Sequence, residues 1–411
     1  MKKSLSILCL LACTLFASAE EKELSLSLGA SYANQVFVKL GTDSVTTIAA
    51  SAWDVMFNRT SSYSFDVRVN DARMQVYQVS NNYNSSVTTA QWDSVDISDQ
   101  TAWTQLYNND SVWAEGAFGN MTIPSGTSGY PQGWGYYDLN THHILGSAVF
   151  VLKYTTGIYR KFKIDDFYGG YTISYSTWDA TNSLWGTTTT STILNTTGTG
   201  YSYNFFSFDT GSVVSSIPAD DYWDFVFTQY YTNLGIMYKV TGVLQGYSAK
   251  VAKGTDAAVP ASSDYSSIIN TIGYDWKTYS GSSYVTKDTV KYYVKSSDST
   301  IYKVWFTSFS GSTTGDLVLK YTTDLSTSSI SETMATTPAL SFKYLPASKE
   351  LVLQDASASS NVTIFSLTGQ KVFGTTVSES TISLANLKSG IYIVLLQSRS
   401  ESKQDKIVVI D

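Results

Sequence analysis

Tyr222-Trp223-Asp224-Phe225-Val226-Phe227 decides how this chain folds, because it occurs twice. Ala52-Trp53-Asp54-Val55-Met56-Phe57 is the upstream copy, and the offset that carries Trp53 to Trp223 also pairs Asn34 with Asn204 and Gly41 with Gly211. Later in each copy the offset shortens to the one that carries Trp134 to Trp276. It then pairs Tyr137 with Tyr279, Lys153 with Lys295, Lys161 with Lys303 and Phe167 with Phe309. Aligned Trp, Gly and Phe in gapless blocks read as an internal duplication. Each block reads as a strand that buries alternate side chains, with Trp223, Phe225 and Phe227 on one face and Asp224 on the other. Asp54 takes the corresponding place. Either acid bonds a nearby turn backbone, or it serves as a ligand or catalytic carboxylate.

Working outward, Tyr171-Thr172-Ile173-Ser174-Tyr175 and Asp316-Leu317-Val318-Leu319-Lys320-Tyr321 alternate in the same way. Tyr, Thr, Ser, Val and Gly dominate, Pro is scarce, and no helical stripe of three turns stands out. The fold class expected is all-β. The segment at 76–133, with Trp92, Trp103 and Trp113, reads as an insertion in the first copy, and 176–200 as long turns or a bridge. Ser310-Gly311-Ser312-Thr313-Thr314-Gly315 reads as a hairpin connection, since no lysine and helix follow to make a phosphate loop.

The chain begins Met1-Lys2-Lys3, continues through an apolar run from Leu5 to Phe16 and reaches Ala17-Ser18-Ala19. A positive tip, a short apolar core and an A-x-A site make a signal peptide at 1–19. Leu10-Leu11-Ala12-Cys13 resembles a lipoprotein cleavage box but would leave too short a core, so cleavage after Ala19 is preferred. Cys9 and Cys13 both lie in that peptide, so disulfides and thiolate chemistry leave with it. Its removal also takes Lys2 and Lys3 and no acid, so a net charge of −7 becomes −9. An acidic, sparsely charged surface argues against nucleic acid, which needs clustered Lys and Arg.

From Thr322 to Pro338 Ser and Thr prevail, which reads as a linker placed at 326–339. Short strands then recur in Leu351-Val352-Leu353, Val362-Thr363-Ile364-Phe365, Ile391-Tyr392-Ile393-Val394-Leu395 and Ile407-Val408-Val409-Ile410. Val362 through Thr368-Gly369-Gln370-Lys371-Val372, Ile382-Ser383-Leu384 to Leu387, Gly390-Ile391-Tyr392 and Lys406-Ile407-Val408-Val409 resemble the type IX secretion C-terminal sorting domain of Bacteroidota. The resemblance covers 340–411, with Leu345-Pro346-Ala347 in place of the usual Asn-Pro turn. It implies partners in the type IX secretion machinery and its sorting peptidase, removal of the module after export, and a secreted or outer-membrane-attached product.

A second resemblance covers the body. Trp223 to Phe227, Tyr238-Lys239-Val240-Thr241-Gly242-Val243-Leu244 and Tyr302-Lys303-Val304-Trp305-Phe306-Thr307-Ser308-Phe309, then Gly315-Asp316, resemble the HmuY family of haem-binding surface proteins. The body divides on this reading into a first HmuY-like β domain at 20–199 and a second at 200–325. The family implies haem held between two axial His or Met side chains and passed to an outer-membrane receptor. Its axial positions do not match residue by residue here. The only histidines, His142 and His143, follow Asp138-Leu139-Asn140-Thr141; imidazole suits iron, so one of them leads as cofactor-binding and metal ligand. Adjacent residues at a strand start face opposite ways, so a second ligand comes from Met237, Met121 or Tyr284, the last aligned with His142 at the shorter offset.

Ten Trp and thirty Tyr would line a porphyrin slot, stack on sugar rings, or simply fill β cores. No G-x-S-x-G elbow or H-E-x-x-H pair is present, and the chain reads as a non-enzyme. Three functions stay open: a haem carrier, a surface adhesion or glycan-binding protein, and a structural surface protein.

Overall fold

Runs such as Val36-Phe37-Val38 and Phe225-Val226-Phe227 are apolar at every position, so a strand built from them must be covered on both faces. In the computed structural model both runs are strands with buried side chains on each side. Residues 20–61, 63–195, 200–325, 341–346, 348–354, 360–366, 369–377, 379–398 and 402–409 are described. The expected signal peptide at 1–19, with Cys9 and Cys13, and the linker at 326–339 lie outside the described residues. Two compact units divide near residue 328.

The larger unit is built of antiparallel sheets around three large cores, with a smaller cluster of Trp92, Val95, Val149 and Val151 beside them. Asn34–Lys39 lies between Ser44–Ala49 and Phe225–Asn233, which pairs in turn with Met237–Gln245. One face of this sheet sends Val36, Val38, Phe225, Phe227 and Val243 into a core shared with a five-stranded sheet. That larger sheet contributes Val251, Val294, Val304, Leu317 and Leu319. Val55–Asn58 lies between Tyr203–Ser207 and Val67–Val69 in a matching four-stranded sheet. Its Val55, Phe57, Val67 and Phe206 face a ten-stranded sheet that supplies Phe150, Leu152, Phe162, Ile164 and Ile173. The alternate residues that face the other way, Phe37, Met56, Val226 and Leu244, meet in a central core with Trp53 and Trp223. Each such side chain is worth about 1.5–3 kcal/mol when fully buried, so the two lobes and the layer between them fold as one body.

Strands cross the expected division at 199/200 in both directions. Lys22–Ser27 pairs with Asp316–Thr322, and Asn34–Lys39 with Phe225–Asn233. Conversely Tyr203–Ser207 pairs with Val55–Asn58. Neither 20–199 nor 200–325 therefore closes a sheet sandwich by itself. Strand alternation shows which residues are buried and is blind to which edge a strand joins.

Two further expectations need correcting. Trp223 does not share a face with Phe225 and Phe227; the ladder starts at Phe225, and Trp223 turns into the central core beside Val226. The segment 176–200 is no simple bridge, because Thr189–Leu194 is a sheet strand, as its β-branched residues favour. In the 76–133 insertion, Thr88 caps the short helix Thr89–Asp93, and the Arg68 guanidinium donates to the carbonyls of Asn109, Val112, Trp113 and Glu115. That clamp seats Trp113 in the central core, where its Nε1 donates to the Gln245 carbonyl at 2.9 Å. Ser310–Gly315 is the hairpin connection expected, joining Ile301–Phe309 to Asp316–Thr322.

The smaller unit packs a three-stranded sheet and a four-stranded sheet about Leu351, Leu353, Val362, Ile364, Val394, Leu396 and Ile407. Among the described residues no helix is long and apolar enough to cross a membrane.

Candidate functional site

The two acids of the repeated motif are wholly buried and structurally engaged. Asp54 accepts from the Tyr154 hydroxyl at 2.8 Å and the Phe208 N–H at 2.7 Å, and pairs with Arg73 at 2.7 Å. Asp224 accepts from the Ser296 hydroxyl at 2.6 Å and the Leu40 N–H at 2.8 Å, and pairs with Lys39 at 3.0 Å. Each carboxylate thus bonds backbone in the opposite half of the chain. Burial pushes the Asp54 carboxyl above its ordinary range, against the pull of Arg73. The acids do bond backbone, but in the opposite half of the chain and not in the nearby turn expected.

The histidines sit on a cleft at one end of the first lobe. Gly135–Tyr137 and Ile144–Gly146 form a hairpin whose second strand lies beside Tyr159–Phe167. Residues 138–143 cross its tip, with Asp138 accepting from the Asn140 and Thr141 N–H groups, and His142 adopts φ 63°. The turn Tyr168-Gly169 and the loop carrying Tyr63 and Phe65 close the remaining sides. The cleft measures about 610 Å³ and is lined by Tyr63, Phe65, Gln132, Tyr137, His142, Ile144, Phe167, Tyr168 and Gly169. No Lys, Arg, Asp or Glu is among them. Tyr63 is 85% exposed and Tyr168 67% exposed, so both phenol rings are available to a ligand.

His142 Nδ1 is joined to the Tyr137 hydroxyl at 2.7 Å. His143 Nδ1 bonds Asp166 at 2.6 Å, and its ring stacks on Tyr168 at 4.3 Å and 3°. His143 therefore orients a tyrosine of the cleft, while His142 lines the cleft itself. The other expected ligands are elsewhere. Met237 lines a separate surface hollow with Tyr107, Asn109 and Asp110. Met121 is buried in the first-lobe core, and Tyr284 packs on the second-lobe core against Phe309 at 4.9 Å. These residues do not gather into a two-sided haem clamp. Among the described residues no three His, Cys, Asp or Glu side chains come together as a metal set. Sequence reasoning missed Tyr63, Gln132, Tyr137 and Tyr168 as site residues; the signal available was an aromatic beside turn glycines, as in Phe167-Tyr168-Gly169-Gly170.

A second feature of the chain is settled by comparison. Residues 345–410 match the secretion system C-terminal sorting domain. The sorting domain implies interaction with the type IX secretion machinery, and the protein is secreted or attached at the outer-membrane surface. No curated protein matches the chain. A solved structure of PorZ, described as an essential surface component of the type IX secretion system of Porphyromonas gingivalis, matches at 13% identity. The match covers 67% of this chain and 41% of that one with a TM-score of 0.16, so the chain spans about two-fifths of that protein's length.

Proposed function

We propose that the exported body is a surface glycan-binding module, and that the cleft of the first lobe is its binding site. The observation that carries this reading is the lining itself: two exposed tyrosine faces beside Gln132, the Tyr137 hydroxyl and His142, with no charged side chain. Aromatic faces cover the C–H face of a sugar ring, and neutral donors and acceptors meet its hydroxyls. A glycan array probed with the body and with Tyr168→Ala tests it. Signal that falls about tenfold in the variant is expected, since a tenfold change corresponds to about 1.4 kcal/mol, within the range of a lost aromatic contact. An array blank for the native body sinks it.

Haem carriage is the second reading, favoured by one observation: His142 lines a cleft of suitable size. His142 would be a single ligand, and the haem propionates would find no Lys or Arg among the lining residues. A haemin titration that leaves the Soret band unchanged, in native protein and in His142→Ala alike, removes it.

We also infer that the body arose by duplication with exchange of its leading strands. The β-bulge at Ile164/Asp166 recurs at Phe306/Ser308, at the offset that relates Trp134 to Trp276, and Asp54 and Asp224 each accept from an N–H just past the strand that pairs beside them, Phe208 and Leu40, which lie two residues out of register with the sequence offset. An HmuY-like ancestry for both copies belongs to this proposal, as does removal of the sorting domain by a peptidase after export.

A further inference from the structure

We propose that Ile144 opens a pocket for one neutral pyranose ring in the first-lobe cleft, and that it sets the size of ligand admitted; this rests on the glycan-binding reading above. The second lobe supplies the argument. Tyr279 pairs with Tyr284 across the hairpin Lys277–Tyr279 and Tyr284–Thr286, as Tyr137 pairs with Ile144. Ile144 lies opposite Phe167, and Tyr284 lies on Phe309, the repeat equivalent of Phe167. Tyr284 is thus the counterpart of Ile144. The ungapped sequence offset aligns it with His142 instead, because the first-lobe tip, 138–143, is two residues longer than 280–283.

Those neighbours show what the site holds. The Tyr284 ring is 5.2 Å from Tyr279 and 4.9 Å from Phe309, and a Cβ on Gly311 would meet it at 2.9 Å. Tyr279, Phe309 and Gly311 correspond to Tyr137, Phe167 and Gly169, which line the first-lobe cleft. In the second lobe, then, a six-membered ring from the chain itself fills the space between these walls. At Ile144 the side chain carries no ring, and the walls face an open cleft. Around it the first lobe adds polar groups that the second lacks. The longer tip brings His142, and Tyr168 stands where the second lobe has Ser310. A ring bearing hydroxyls and no charge fits this lining, which contains no Lys, Arg, Asp or Glu to pair with a charged group.

The test uses the full exported body with Ile144→Leu, Ile144→Phe and Ile144→Tyr, titrated with methyl glucoside, galactoside and mannoside by saturation-transfer NMR. Binding of at least one pyranoside is expected in native protein and in Ile144→Leu, with loss of tenfold or more in Ile144→Phe and Ile144→Tyr. Melting curves for each variant establish that it is folded, and the Leu-to-Phe step alone reads the trend if the Tyr variant does not fold. Undiminished binding in Ile144→Phe, still lost in Tyr168→Ala, overturns the size-setting role and leaves glycan binding standing. Absence of binding by the native body to pyranosides and to a glycan array overturns both.

Discussion

At the residue scale, Asp54 and Asp224 turn a sequence signature into an architectural bond. Removing a buried carboxylate strands its cation and its N–H donor together, and such a loss costs about 3–5 kcal/mol. Asp54→Ala and Asp224→Ala are each expected to lower the unfolding free energy by that amount, read as a lower guanidinium midpoint at unchanged slope; a loss under about 1 kcal/mol contradicts the role. Asp71 gives a pH signature. Burial raises its carboxyl to about 6 from 3.8, although Asn108 donates to it at 2.9 Å. The folded state therefore holds this proton more tightly, and stability from Asp71 is greatest below pH 4 and lost as pH rises towards 6. Asp71→Asn is expected to gain stability relative to the native protein on going from pH 4 to pH 7, read by melts at both; a pH-independent difference speaks against it. Backbone bonding by these motif acids was one of two readings open in the sequence, and it pointed to a nearby turn. That Asp54 reaches Phe208 and Asp224 reaches Leu40 was not legible there, since nothing local specifies a partner 154 or 184 residues away.

At the scale of elements, strand content was legible wherever β-branched and aromatic residues alternate, and Gly170–Asp179 and Asp316–Thr322 follow their patterns. The cleft was less legible. His142 and His143 stood out only as the sole histidines, and their different neighbours, Tyr137 and Asp166, come from hairpin geometry rather than spacing. His143→Ala should free Tyr168 from its stack while leaving His142 in place. A fall in pyranoside affinity with an unchanged melting temperature is the expected pair of readings; unaltered affinity would show that Tyr168 needs no such support. The N-terminal strand is a second element-scale test. Lys22–Ser27 covers the edge of Asp316–Thr322 and buries Leu26 in the second-lobe core. Deleting residues 20–27 uncovers a row of strand N–H and C=O groups that can pair with another chain. Concentration-dependent self-association by light scattering is expected, with a lowered melting temperature; a monomer of native stability would refute the edge role.

At the scale of the molecule, neither half of the body, 20–199 or 200–325, is complete in space. Residues 20–199 hold Val55–Asn58 but not its neighbour Tyr203–Ser207, and hold Asn34–Lys39 but not its neighbour Phe225–Asn233. Residues 200–325 have the converse lack. A fragment cut at 199/200 would expose one face of the central core, including Phe37 and Met56 on one side or Val226 and Leu244 on the other. It would also leave Asp54 or Asp224 without the backbone donor it bonds. Separately, then, 20–199 and 200–325 are expected to show no sharp thermal transition, because each loses part of a core and one arm of the exchange. Mixed after refolding together, they should form a one-to-one complex with the near-ultraviolet circular dichroism of the intact body, since every lost strand pairing is available in the partner. The mixture should further regain cleft binding, whose lining from Tyr63 to Gly169 lies wholly in the first fragment but rests on a core completed by Ile193 in the same fragment and Phe206 and Phe208 in the other. Two fragments that each melt cooperatively as monomers, and ignore one another when mixed, would mean that the crossing strands are dispensable and that each half folds as its own domain.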